Sequence, residues 1–216
     1  MLNFISRALL GIFVLSFINI AGAQQEIVSL NPPQPVENDG KVEVLEFFSY
    51  ACPHCDHLDK PLSIWATNQP ADVKFRRVPV DGISGYVGGV ALYYTLEAMG
   101  EIDRLHSKIF DGIHREHVIL AIPAVLNKWL AMNGVDVGKF EAMKSSFSVA
   151  TKVQRAQKMN LEYKIAGVPT IVVNGRTQIL SVGEPPRMLS NLDQVLRQVR
   201  AAASSATPTG KAAIKK

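Results

Sequence analysis

A change of periodicity in mid-chain limits the possible folds more than any other feature. Val42-Glu43-Val44-Leu45-Glu46-Phe47-Phe48 is a β-rich apolar run and reads as a buried central strand. Pro53 to about Asn68 reads as a helix, because proline is favoured at the first helical position and Leu58, Leu62, Ile64 and Trp65 are apolar. Pro61 is expected to bend or break it. Val73 to Val80 reads as a second strand, with Pro79 at its end. From about Gly82 to Asn160 strand signals vanish. Val90, Leu92, Tyr93, Leu96 and Met99 suit one helix, and Ile102, Leu105, Ile109 and Ile113 a second. Pro123 to Met132, closed by Asn133-Gly134, suits a third. Asp136 is placed to cap a fourth containing Phe140 and Met143, and Val149 to Met159 is a further amphipathic stretch. Strands then return as a hairpin, Thr170 to Val173 and Thr177 to Ser181, around Asn174-Gly175. Pro185-Pro186 open a last helix with one apolar stripe of Met188, Leu189, Leu192, Val195, Leu196 and Val199. The expectation is an α/β sheet domain, residues 24–81 and 161–200, interrupted by an all-helical insertion at 82–160.

The N-terminus reads as an address. Arg7 is the only charge before Glu26, an apolar run spans Ala8 to Ile20, and Ala21-Gly22-Ala23 is a small-residue exit. Together these predict a cleaved secretory signal, residues 1–23. An uncleaved membrane anchor would need about 20 apolar residues, and this run is shorter. The pair Arg-Arg and a lipid-accepting Cys are both missing from this segment. Removing it from 216 residues leaves 193, enough for one domain with an insertion. The net charge of +4 sits partly in Lys211, Lys215 and Lys216, without a basic stripe interleaved with aromatics, so no nucleic-acid partner is expected. The small, polar and aperiodic tail from about Ala201 to Lys216 is expected to be disordered.

Export would place the chain's two cysteines, Cys52 and Cys55, where disulfides persist. Two cysteines this close cannot staple a long loop, so a purely structural bridge would gain little. They can instead close a small disulfide that a thiolate attacks directly, through a mixed-disulfide intermediate. They also sit where a strand hands over to a helix. A thiolate there meets unpaired N–H groups and the positive end of the helix dipole, and both depress its pKa. His54 adds a group able to carry positive charge or donate a hydrogen bond. Cys52 precedes the helix and is expected to be exposed, with Cys55 one turn in and more buried. That assigns Cys52 as nucleophile and Cys55 as resolving partner. Metal binding is the main alternative, since Cys52, His54, Cys55 and His57 are four possible ligands in six residues. Structural zinc sites usually draw ligand pairs from separated segments, and no second Cys pair exists. No metal is therefore expected. Haem attachment needs His directly after the second Cys, where Asp56 stands.

Glu46-Phe47-Phe48-Ser49-Tyr50-Ala51-Cys52-Pro53-His54-Cys55, with Gly167-Val168-Pro169-Thr170 downstream, resembles the DsbA family of periplasmic disulfide oxidoreductases. The likeness runs from about Val42 to Val199. It implies a thioredoxin-like fold with a helical insertion and catalysis by Cys52, Pro53, His54 and Cys55. It implies no cofactor beyond the redox-active Cys52–Cys55 disulfide. The implied partners are unfolded exported proteins with free thiols and a membrane quinone-linked, DsbB-type reoxidant, and the implied state is a monomer. Nucleophiles of that family have a pKa of about 3.5 against about 8.5 for free Cys, values carried from its archetype rather than read from these residues. Such a shift favours the reduced form by roughly 5 kcal/mol at pH 7. The family's potential of about −120 mV and thioredoxin's of about −270 mV differ by roughly 7 kcal/mol. The implied direction is therefore oxidation of clients in the periplasm.

Glu46 shares a strand face with Val42, Val44 and Phe48, so its carboxyl is expected to be desolvated with a raised pKa. The resemblance implies a buried acid that relays protons beneath the cysteines; the plainer reading is an edge carboxylate reaching water. Only about 5–6% of X–Pro bonds are cis, so sequence alone makes Val168–Pro169 trans. The resemblance reverses this: Val168, Pro169 and Thr170 match a cis-proline loop that faces the cysteines and offers backbone to an extended substrate. His114 and His117 are expected on a helix, more simply as a solvated face than a metal pair. His106, Arg104 and Lys108 are expected at the surface, and Tyr86, Tyr93, Tyr94 and Trp129 in the core of the insertion. The nearest alternative function is a disulfide isomerase or reductase on the same fold. Isomerases of this type usually carry an N-terminal dimerisation domain, and Gln24 to Ala51 is too short for one plus the strand. A metal-binding or chaperone module without turnover is the alternative of another class.

Overall fold

The computed structural model describes residues 26–36, 39–82, 88–181 and 183–206. The expected signal segment, Tyr86 and the tail from residue 207 lie outside them. Five strands form one mixed sheet in the order β1-β5-β4-β2-β3, with β1 at Ile27–Ser29, β2 at Val42–Phe48, β3 at Val73–Pro79, β4 at Thr170–Val173 and β5 at Thr177–Leu180. β2 pairs in parallel with β3 and antiparallel with β4, so the apolar run read as a central strand is one. Both its faces are covered. Val44 packs with Leu58, Leu62, Leu192 and Val195 on one side, while Leu45 and Phe47 pack with Ala156 and Tyr163 on the other.

Helix α1 (Pro53–Thr67) and helix α7 (Pro185–Ala206) supply the first side. Between β3 and β4 the chain builds α2 (Gly89–Ala98), α3 (Ile102–His114), α4 (Pro123–Met132), α5 (Val137–Lys144) and α6 (Phe147–Glu162). The α/β sheet interrupted by helices is therefore present in the expected order. Asp136 caps α5, its side chain accepting the Lys139 N–H at 3.0 Å. At the hairpin, Asn174 and Gly175 have φ of 47° and 58°, the positive pair that a type I′ turn demands.

The elements of the fold differ from the expectation in four places. α1 runs through Pro61 as one helix, so of the bend or break expected there the break does not occur. Leu58 and Leu62 on either side are buried between sheet and α7, and that burial outweighs the roughly 3 kcal/mol cost of an interior proline. β1 has no signal in the sequence because three residues give no periodicity; its register against β5 makes it a strand. α7 continues to Ala206, into the stretch read as tail, because Ala201-Ala202-Ala203 is helix-favouring. His117 lies beyond the end of α3 with a positive φ of 57°, so His114 and His117 do not share a helix face.

Candidate active site

The last residues of β2 and the first of α1 place the cysteines. Between them Ser49 to Ala51 make a turn in which the Cys52 N–H donates to the Ser49 carbonyl at 3.1 Å. Cys52 is then the N-cap of α1. Its sulfur accepts the Cys55 N–H at 3.4 Å, and Pro53 takes the first helical position, where its missing N–H costs nothing. Both thiols are free, so this is the reduced state.

Cys52 is less open than expected. It is 5% exposed against 0% for Cys55. The covering comes from the segment before β4: the Val168 carbonyl oxygen lies 3.3 Å from the Cys52 sulfur, accepting its S–H. The Val168–Pro169 peptide is cis, and the Thr170 hydroxyl closes the loop on the Gly167 carbonyl at 2.8 Å. Beside the cysteines a depression of about 270 Å³ is lined by His54, His57, Leu58, Pro169, Pro185 and Met188.

The two thiols are electrostatically unlike. The Cys52 pKa falls from 9.0 to about 6; the Cys55 thiol contributes most, burial opposes, and the N–H groups of Cys55 and His54 and the His54 ring add the rest. The His54 ring is thus the smallest contributor, and the helix start with its neighbouring thiol is the larger. Burial drives the Cys55 thiol strongly upward, and the adjacent Cys52 and Glu46 push it the same way.

Glu46, at 2% exposure, is buried as its strand face implied, and burial raises its pKa to about 7. Its partner was not foreseen: Arg77 of β3 donates Nε–H to Glu46 at 2.9 Å and reaches Asp59 of α1 at 3.3 Å. Arg76 and Arg77 are adjacent in sequence, so nothing but the strand alternation separates the buried one from the one that pairs Glu43.

His106 corrects the surface expectation. It is 5% exposed, with Nδ1 2.9 Å from the Tyr50 hydroxyl, because the i, i+4 ridge of α3 that carries Ile102, His106 and Phe110 turns towards the cysteine loop. His114 is no solvated residue either: its Nε2–H donates to the Tyr50 carbonyl at 2.8 Å. Arg104 and Lys108 are exposed, and Tyr93 and Trp129 are buried, as expected. Among the described residues no three His, Cys, Asp or Glu side chains converge as a metal site.

Residues 43–195 match the family model described as DSBA-like thioredoxin domain. The chain is 40% identical over 185 residues to the thiol:disulfide interchange protein DsbA of Pseudomonas aeruginosa, covering 84% of this chain and 87% of the relative. It is also 40% identical over 182 residues to that of Bordetella parapertussis, covering 83% and 86%. The crystal structure of Pseudomonas aeruginosa DsbA superposes with a TM-score of 0.75 at 38% identity, over 83% of this chain and 94% of that one. That of Xylella fastidiosa DsbA gives 0.73 at 31%, over 82% and 96%. With a strand-to-helix cysteine pair of this asymmetry on a matching fold, the chain belongs to the DSBA-like thioredoxin family and is a disulfide oxidoreductase.

Proposed function

We propose that the chain oxidises cysteine pairs of exported, unfolded proteins by donating a Cys52–Cys55 disulfide. The observation that carries this is the placement of Cys52 as N-cap of α1 against the Val168 carbonyl, with Cys55 fully buried one turn in; this geometry displaces the two thiol pKa values oppositely, Cys52 down to about 6 and Cys55 upward. A client thiolate attacks the Cys52 sulfur, the Cys52–Cys55 bond breaks, and the electron pair leaves on Cys55. Cys55 is driven to its thiol form, and the buried Glu46 carboxyl, half-ionised near neutral pH, is the proton donor in this reading. The client's second thiolate then attacks its own sulfur in the mixed disulfide. Cys52 leaves as a thiolate that stays ionised at pH 7, and two electrons have passed from the client dithiol to the enzyme.

Pro53 and His54 belong to this machinery as the helix opening and the ring beside the nucleophile. Val168, Pro169 and Thr170 present backbone to an extended client, as the Val168 carbonyl facing Cys52 supports. No cofactor beyond the cysteine pair enters the cycle. A periplasmic location, export by residues 1–23, a monomeric state and reoxidation by a membrane quinone-linked, DsbB-type partner complete the proposal, supported by the DsbA relatives and the sequence of the N-terminus.

A Cys55→Ser variant mixed with client carrying a disulfide or an activated thiol is the test. Mixed disulfides should accumulate through Cys52, reversible by dithiothreitol and absent in Cys52→Ser. Accumulation through neither cysteine overturns the assignment.

A further inference from the structure

Four ionisable side chains from four elements form one buried cluster beneath the cysteines. Glu46 comes from β2, Arg77 from β3, Asp59 from α1 and His106 from α3. Asp59 is the hub. Its Oδ1 accepts from the Arg77 guanidinium at 3.3 Å and from the Ser63 hydroxyl at 3.4 Å, and its Oδ2 accepts from the Ser107 hydroxyl at 2.5 Å. The same Oδ1 lies 3.3 Å from His106 Nε2, which makes no aligned hydrogen bond although it is buried. A buried nitrogen facing a carboxylate without a made bond calls for an explanation.

Counting charge supplies one. Two carboxylates and one guanidinium leave a single negative charge uncompensated in a low-dielectric site. Asp59 is held low, since His106, Ser107 and Arg77 together outweigh its burial. One further proton neutralises the cluster, and Glu46 and His106 are the groups placed to hold it. The two arrangements, carboxyl with neutral imidazole and carboxylate with imidazolium, carry the same net charge. Every element packed on His106 contributes to its field: Tyr50 after β2, Asp59 on α1, Arg77 on β3, Tyr93 on α2 with ring centroids 6.0 Å apart, and Asp103 on its own helix.

We propose that His106 is a positioning residue for disulfide exchange that shares one proton with Glu46 across the Asp59–Arg77 bridge. When Glu46 gives its proton to the Cys55 sulfur, His106 Nε2 takes one from water and turns to Asp59, so the buried charge stays balanced. When Cys55 returns to the disulfide, Glu46 regains a proton and His106 releases its own. This rests on the reading of Glu46 as the donor. Burial lifts Glu46 to about 7 and lowers His106 from its usual value, so burial favours the arrangement with the proton on Glu46 and a neutral imidazole, and ionising Glu46 is what shifts it.

The test follows the Glu46 carboxyl carbon and the His106 imidazole nitrogens by NMR against pH, in the oxidised full-length protein and in His106→Gln and Glu46→Gln. Shared protonation makes the wild-type Glu46 curve two-step, with one step at the His106 midpoint. In His106→Gln the Glu46 midpoint should rise by about one pH unit and the curve become single-step. In Glu46→Gln the His106 midpoint should fall by the same amount, because coupling is reciprocal. Single-step wild-type curves, or a midpoint unmoved by loss of the other group, overturn the proposal, and the wild-type curve alone decides if a variant fails to fold. Thiol-oxidation rates against pH separate the two readings. Coupled NMR titrations with unchanged rates in Glu46→Gln would reject Glu46 as donor and His106's part in exchange, leaving a shared proton only.

Discussion

The Cys52 sulfur and the Val168 carbonyl oxygen lie 3.3 Å apart, across 116 positions of sequence. In the thiol form the S–H donates to that oxygen. A thiolate has no proton to donate, so ionising Cys52 removes this hydrogen bond. The contact therefore couples the charge on Cys52 to the hydrogen bonding of the Val168 carbonyl.

The Val168 carbonyl carbon should report this loss. Its NMR shift is expected to titrate with the Cys52 thiol, at a midpoint of about 6 in the reduced protein, and to lose that step in Cys52→Ser. A flat Val168 shift would show that the two atoms are not coupled.

Removing single neighbours should rank the causes of the Cys52 shift. Of its neighbours at the helix start, the Cys55 thiol acts most strongly on Cys52 and the His54 ring least. Cys55→Ala is therefore expected to raise the Cys52 midpoint, followed by thiolate absorbance, more than His54→Ala does. The opposite order would return the leading role to His54.

Redox state should alter the pH dependence of stability. Only the reduced form carries the ionisable Cys52, whose folded pKa of about 6 lies below its unfolded 9.0. Its stabilisation is complete above the unfolded value and disappears as pH falls through the folded one. Relative to the oxidised form, the reduced form should gain about 1.4 kcal/mol between pH 5 and pH 7, and about 1.4 more by pH 8. Denaturant unfolding of both forms across this range measures it, and parallel profiles would contradict it.

Much of this was written plainly in the sequence. The run of Val42 to Phe48, the stripe of α7 and the Asn174-Gly175 turn each carry a local signal that tertiary context did not override. The cysteine pair and its place at a helix start were equally legible. The cis form of Val168–Pro169 was reached by resemblance alone, since the local bond preference points the other way. The cover over Cys52 leaves no local trace in the sequence, because Val168 arrives from the segment before β4, more than a hundred residues on. The cluster of Asp59, Arg77 and His106 is illegible for the same reason. Each of these residues looks like an ordinary charge on its own helix or strand, and only the packing of α1 and α3 against β2 and β3 brings them under Glu46.

Thiolate stabilisation at the geometry seen here supplies about 1.4 kcal/mol at pH 7, equivalent to about 30 mV for a two-electron couple, less than the family's archetypal value implies. Its sign agrees with the proposed oxidant role, since what stabilises the reduced form favours donation of the disulfide. The most direct test is the reduction potential of the Cys52–Cys55 couple, measured by equilibration with glutathione at pH 7. A value towards the DsbA figure of about −120 mV is expected, and a value at or below thioredoxin's, about −270 mV, would contradict the oxidant role.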